Sequence, residues 1–184
     1  MSRLSAGLRP RIAATAYPIF YRFPHGVRMW LVRWVAPTFT VGSVVLVRDT
    51  EAATSGYGER MLLLRQPPNR GWSLPAGLLR RRESPVDGAL RELAEESGIT
   101  LRPDQLRAAV PNALVHHRSR YVDMVYEAEV PAATTALRVD GAEVLEAAWH
   151  PLAALPPLTS PTARLLGYYG IGPLAEREPD PDPA

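Results

Sequence analysis

Hydrophobic and polar positions along this chain follow two different periods, and the change of period locates most of the elements. Residues 38–49 (TFTVGSVVLVRD) and 59–66 (ERMLLLRQ) are aliphatic, β-branched runs separated by the polar, glycine-containing TEAATSGYG. They are expected to be strands. A short extended piece, WSLPAG, follows at 72–77. Further strands are expected at 106–110 (LRAAV), 112–117 (NALVHH), 120–130 (RYVDMVYEAEV) and 143–151 (EVLEAAWHP), with the polar link 117–120 joining the second and third. Helical spacing takes over in three places. Near the N-terminus Val27, Trp30, Leu31, Trp34 and Val35 recur at helical intervals between Pro24 and Pro37. Near the other end, Ser160 reads as an N-cap with Pro161 at the first helical position, opening a helix over 162–169.

The third helical stretch, 84–97, carries its own punctuation. Ser84 is a capping residue, Pro85 suits the first turn, Asp87 stands where a capping-box acid belongs, and Gly98 can close the helix in the left-handed conformation. Val86, Ala89, Leu90 and Leu93 form the stripe expected to be buried. At roughly 100° per residue, Glu92, Glu95 and Glu96 fall together to one side of that stripe. Like charges three and four residues apart destabilise a helix by a few tenths of a kcal/mol per pair. Most acidic runs on helices are solvated faces. Here, however, the acids have no basic partner among themselves, and they follow a glycine-containing turn (Pro75, Ala76, Gly77) and a loop from Leu78 to Arg82 rich in arginine. Three convergent carboxylates offer the oxygen ligands and negative charge that a hard divalent cation such as Mg²⁺ requires, with substrate phosphate completing the shell.

Composition narrows the context. The 184 residues are enough for one domain with extensions, and 46% apolar with 22% charged residues is ordinary for a globular chain. Cysteine is absent, which excludes disulfides, thiolate metal sites and cysteine nucleophiles. The four histidines lack ligand spacing, so no zinc site is expected. No apolar run is long enough to span a bilayer and no signal peptide is legible, so a cytoplasmic location is the expectation. All 21 basic residues are arginine, a bias that fits codon usage, and the net charge of +2 gives no reason to expect DNA as a partner. Trp30 and Trp34, beside Arg28 and Arg33, have the outline of a membrane-surface helix. The stripe is short and narrow, so cover by the domain or by a second subunit, as in a homodimer, is the expectation instead.

The stretch from Gly77 to Ile99 resembles the signature box of the Nudix hydrolases, G-x5-E-x7-R-E-U-x-E-E-x-G-U, where U is a bulky aliphatic residue. Gly77, Glu83, Arg91, Glu92, Leu93, Glu95, Glu96, Gly98 and Ile99 fill every fixed position. The resemblance covers roughly residues 38–170 in element order. It implies an α/β fold, an α/β/α sandwich with a mixed sheet, over 38–172. The N-terminal helical extension (1–37) and a disordered tail (173–184) lie outside it. It implies hydrolysis of a pyrophosphate linkage in a nucleoside diphosphate derivative, with Mg²⁺ or Mn²⁺ held by Glu92, Glu95, Glu96 and the backbone carbonyl of Ala76. Glycine is more usual at the position of Ala76, though a carbonyl ligand needs no particular side chain.

The resemblance further implies catalytic roles for Glu92, Arg91 and Glu143, Arg91 acting by orienting the acids, with Gly77 and Glu83 in support. The base is expected to be either Glu92 or a carboxylate outside the box, several residues before Trp149: Glu143 first and Glu146 second. Both were read as part of one strand, on opposite faces. Trp72, Arg80, Arg82 and Arg118 are candidates for substrate contact, each weighed against plain packing or a solvated loop. His116 and Arg120 are expected in a surface turn. An isopentenyl-diphosphate isomerase is excluded by the missing cysteine. A module that senses nucleotides without turning them over is the alternative to an enzyme, and an anchor protein built around the N-terminal helix is a third reading.

Overall fold

A computed structural model describes residues 18–51, 58–68, 70–117 and 119–175. Arg118 and most of the expected tail lie outside these residues. The chain divides into two compact units, Met1–Thr38 and Phe39–Ala184. The first contains helix α1 (His25–Val35), which ends before Ala36 and has no buried residue.

The second unit is built on a seven-stranded mixed sheet. Its strands are β1 (Thr40–Asp49), β2 (Arg60–Arg65), β3 (Trp72–Ser73), β4 (Ala76–Leu78), β5 (Arg107–His116), β6 (Tyr121–Val130) and β7 (Glu146–Pro151). The main path runs β3-β2-β1-β6-β5, with β4 on β1 and β7 on β2. β1 pairs with β6 in parallel along its whole length, from Thr40 opposite Tyr121 to Asp49 opposite Val130. On its other edge β1 meets β4 over Gly42 to Val44 and meets β2 at Arg48. The short β4 thus brings the residues of the Pro75–Gly77 turn beside the centre of the sheet.

β1 is buried on both faces, as a central strand covered on each side should be. The strand period of two then assigns its side chains to two layers. Val44 and Leu46 join Met61, Leu63, Leu74, Val125, Leu165 and Leu166 in a cluster that includes helix α3 (Ser160–Tyr168). Val45 and Val47 join Leu62, Ala89, Leu93, Ile99, Tyr126 and Ala128 in a second cluster under helix α2 (Pro85–Ser97). One helix on each face of a mixed sheet is the expected α/β/α sandwich.

α2 begins and ends where its sequence indicates. Ser84 Oγ accepts from the Asp87 backbone N–H, the Ser84 hydroxyl donates to the Asp87 carboxylate, and Gly98 closes the helix at φ 76°. The residue after the helix is therefore one that tolerates a left-handed conformation.

Four expectations are corrected. Leu90 is half-exposed, and the buried positions of α2 are Gly88, Ala89, Leu93, Glu96 and Ser97, so the core-facing stripe is rotated toward the acids. The separate strands at 106–110 and 112–117 are one edge strand, β5, whose register against β6 shifts between Ala108 and Ala113 around Pro111. A proline without an N–H is tolerated on such an edge. α3 includes Ser160, and its N-cap is Thr159, whose hydroxyl donates to Thr162 Oγ1. Finally, β7 starts at Glu146, so Glu143 lies before the strand, in a loop turned by Asp140. That carboxylate accepts from the N–H groups of Ala142, Glu143 and Val144.

The rotated stripe has a measurable consequence. Leu93 is fully buried between α2 and the sheet, so Leu93→Ala should cost about 2–5 kcal/mol in urea unfolding. Leu90→Ala should cost well under half as much, and equal losses would restore the stripe read from periodicity.

Candidate functional site

The second and third turns of α2 carry Arg91, Glu92, Glu95 and Glu96 over β4. A Cβ built at Gly77 would stand 2.1 Å from the carboxyl carbon of Glu92, so any side chain there must displace that carboxylate. The Glu92 carboxylate therefore lies directly on the β4 backbone.

The guanidinium of Arg91 organises the outer acids. Its Nε and Nη2 form a fork on Glu83, at 2.7 and 2.9 Å. Nη1 donates to Glu92 at 2.6 Å and to Glu95 at 3.0 Å, and Nη2 also reaches the Leu78 carbonyl at 3.1 Å. Planar, multiply donating arginine suits this task in a way a lysine would not. The Arg91 hydrogen bonds, followed by one from the Arg80 N–H, pull Glu83 down to about 2. Arg91 itself is held above its ordinary value, chiefly by Glu83. The acids are thus not without a basic partner, and Arg80 supplies a second one, donating to Glu95 at 2.9 Å.

Glu96 differs from the others. It is 8% exposed, accepting from the Ala76 N–H at 2.9 Å and from the Gln66 amide at 2.7 Å. Burial pushes its pKa up to about 7, and the charges of Glu92 and Glu143 add to the rise against the pull of Ala76 and Gln66. A carboxyl group placed in this way is only partly ionised at neutral pH, and a bound cation would favour its ionised form.

Among the described residues no three carboxylates or imidazoles converge at metal-binding spacing, and Arg91 Nη1 occupies the position between Glu92 and Glu95. The donor set nevertheless fits a hard divalent ion in its chemistry. It offers only oxygen, it crowds negative charge around Glu96, and each carboxylate keeps lone pairs beyond those engaged. The residues able to hold such an ion are Glu92, Glu95 and Glu96. The structure shows the N–H of Ala76 engaged with Glu96.

Beside Glu96 opens a cavity of about 460 Å³ whose lining includes Gln66, Ala76, His116, Tyr121, Asp123 and Arg164. Gln66 and Ala76 belong to both places, so the cavity and the acidic face share a wall. His116 Nε2 lies 2.9 Å from Asp123 Oδ2. Burial pushes the Asp123 carboxyl up, with His116 opposing. His116 is the last residue of β5 rather than part of a turn. Gln66, Tyr121, Asp123 and Arg164 carry no motif. The one signal available for two of them is that Tyr121 and Asp123 alternate with core-facing Val125 on β6, polar groups at positions where the pattern calls for apolar ones.

The other candidates are placed as follows. Glu143 is exposed in the loop before β7, close enough for its charge to be felt at Glu96, whereas Glu146 forms an ion pair with Arg65. Trp72 is half-buried, edge-on to His150 at 4.3 Å, with the Arg65 guanidinium 5.9 Å from its ring, which is a packing role. Arg82 is exposed at φ 68° in the loop before α2.

The family description NUDIX domain matches residues 38–167. A MutT-like protein of Streptomyces ambofaciens is 40% identical over 53 residues, 29% of this chain and 34% of that protein, so the chain spans about a third of the curated relative it matches. Among solved structures, a MutT/nudix family protein from Enterococcus faecalis superposes with a TM-score of 0.54 at 18% identity, covering 74% of this chain and 54% of that one. The NUDIX domain of Shewanella oneidensis NrtR, complexed with ADP ribose, gives 0.54 at 20% identity, covering 72% and 87%. These likenesses show the fold.

The contact at Gly77 can be tested by itself. Gly77→Ala must displace the Glu92 carboxylate, so turnover should fall by about tenfold or more while the protein stays folded. Unchanged turnover with an unchanged circular dichroism spectrum would remove Glu92 from the site.

Proposed function

This chain belongs to the Nudix family, and on that premise we propose that it hydrolyses the pyrophosphate linkage of a nucleoside diphosphate derivative with Mg²⁺ or Mn²⁺ as cofactor. The observation that carries the reading is the acidic face of α2, where Gln66 and Ala76, the hydrogen-bond partners of Glu96, also line a cavity large enough for a nucleoside. When bound, the divalent ion would neutralise the pyrophosphate charge and favour attack by water at phosphorus.

The chain's own residues divide the remaining work. Glu92, Glu95 and Glu96 supply the ligand oxygens. Arg91 is a positioning residue: it contacts the acids and Glu83 and fixes the direction of Glu92 and Glu95. Hydrolysis adds water across one P–O bond, so one proton must leave the attacking oxygen as the bridging oxygen departs. Glu143 suits that step because it is exposed and lies near Glu96 in charge. Glu146 suits it less, since its carboxylate is tied to Arg65. The cavity beyond Gln66 is the place for the group attached to the diphosphate. There the His116–Asp123 pair and Tyr121 offer hydrogen bonds, and Arg164 offers positive charge.

A panel of nucleoside diphosphate derivatives, headed by ADP-ribose as the ligand of the Shewanella domain, should contain at least one substrate. EDTA should abolish its turnover, and Mg²⁺ or Mn²⁺ should restore it. With that substrate, Glu143→Gln should lower kcat by about 10²-fold or more with little change in KM, the scale of a lost general base. Glu146→Gln should be mild. The reverse order would transfer the role to Glu146. A panel without metal-dependent turnover, but with nucleotide binding, would make the chain a sensing module.

A further inference from the structure

The charge of this chain is divided unevenly along its length. Residues 1–47 contain six arginines and no acidic residue, whereas residues 48–184 contain 15 arginines against 19 acids. The small net charge of +2 is therefore a strongly basic segment followed by a mildly acidic remainder. Within the basic segment, α1 leaves its large apolar groups in water: Trp30 is 59% exposed, Trp34 76% and Val35 86%. The two indoles lie against each other, ring centroids 5.7 Å apart, and Arg28 sits over the Tyr21 ring at 5.3 Å.

The order of residues around α1 gives this surface a direction. Helical spacing collects Val27, Trp30, Leu31 and Trp34 within an arc of about 100° and places Arg28 and Arg33 about 60° beyond its two edges, with Val35 beside Arg28 and the smaller exposed apolar groups Met29 and Val32 on the far face. An apolar aromatic stripe flanked on both sides by arginine is suited to lying in an interface, rings in the headgroup layer and guanidinium groups on lipid phosphate. A helix of 11 residues spans about 16 Å, and no described helix is long and apolar enough to cross a membrane. The geometry points to a helix lying on a bilayer rather than through one.

We propose that α1, with the acid-free segment around it, docks the protein on an anionic lipid surface. Charge decides among the occupants. A second copy meeting the same surface across a twofold axis would set arginine against arginine, with no carboxylate in residues 1–47 to pair with either. A nucleic acid would take the arginines and stack on the rings, yet leave Val27 and Leu31 with no apolar partner. A bilayer with anionic headgroups satisfies both sets at once. The docking does not depend on the catalytic reading.

Co-sedimentation of the full chain with vesicles tests it. Binding to phosphatidylcholine vesicles containing phosphatidylglycerol should exceed binding to phosphatidylcholine alone by about tenfold or more, and molar salt should release the protein. The pair Trp30→Ala and Trp34→Ala, and separately Arg28→Gln and Arg33→Gln, should each weaken vesicle binding by about tenfold or more. Melting temperature and turnover of a soluble substrate should stay as in the parent. Absence of binding to the anionic vesicles overturns the proposal, as does binding that survives loss of both tryptophans. A halved mass in light scattering on tryptophan replacement, without vesicle binding, would name a second copy as the occupant. Tighter binding to a single-stranded oligonucleotide than to vesicles would name a nucleic acid.

Discussion

Carboxylates gathered on one face of a helix repel one another, and the site of this protein depends on how that repulsion is contained. Two devices share the task. Arg91 spans Glu83, Glu92 and Glu95 with a single guanidinium, converting three mutual repulsions into attractions toward one centre. Glu96 lies beyond that reach and is buried instead, its two oxygens fixed by the Ala76 N–H and the Gln66 amide. The first device directs the outer acids. The second creates a carboxyl group that holds its proton more tightly than an exposed glutamate does. β4 connects them, because its backbone passes under Glu92 at Gly77 and donates to Glu96 at Ala76.

The same short strand explains why the site sits where it does. A three-residue β4 would have little stability alone, but against β1 it is paired at Gly42, Ser43 and Val44 in the most buried part of the sheet. α2 is held on the same face by Ala89 and Leu93, within a cluster reaching Val45, Leu62 and Tyr126. The acids thus rest on the rigid centre of the fold. The residues facing the cavity instead come from strand ends, such as His116 and Tyr121, or from α3, such as Arg164.

Much of this could be read in the sequence, and the parts that could not have physical reasons. The cap at Ser84, the stop at Gly98 and the acid spacing of α2 are local signals, and the structure places them as local rules require. The pairing of the acids with Arg91 was only implied by resemblance, since helical spacing does not say which rotamer a long side chain adopts. The burial of Glu96 was invisible because it depends on Gln66 and Ala76, 30 and 20 residues away in the chain. The pattern extends the strand over Glu143 because EVLEA has no turn residue of its own. The turn is made from before it, by the Asp140 carboxylate accepting three successive N–H groups. His116 and Asp123 meet through strand register, which periodicity alone does not fix.

The central claim is that Glu96 is held by the fold as a buried acid placed for a cation, and linkage makes it measurable. Its folded pKa of about 7 lies above its ordinary 4.5, so the native state binds this proton more tightly than the unfolded chain does. The stability it contributes is complete below about pH 4.5 and is lost as the pH rises through about 7. The measurement is the difference in melting temperature between the parent and Glu96→Gln across that window, which cancels groups common to both, such as His150. In EDTA the parent should lose stability relative to the variant as pH rises. Mg²⁺ or Mn²⁺ should reverse that loss in the parent alone. Parallel pH curves, or an equal effect of metal on both proteins, would contradict the account.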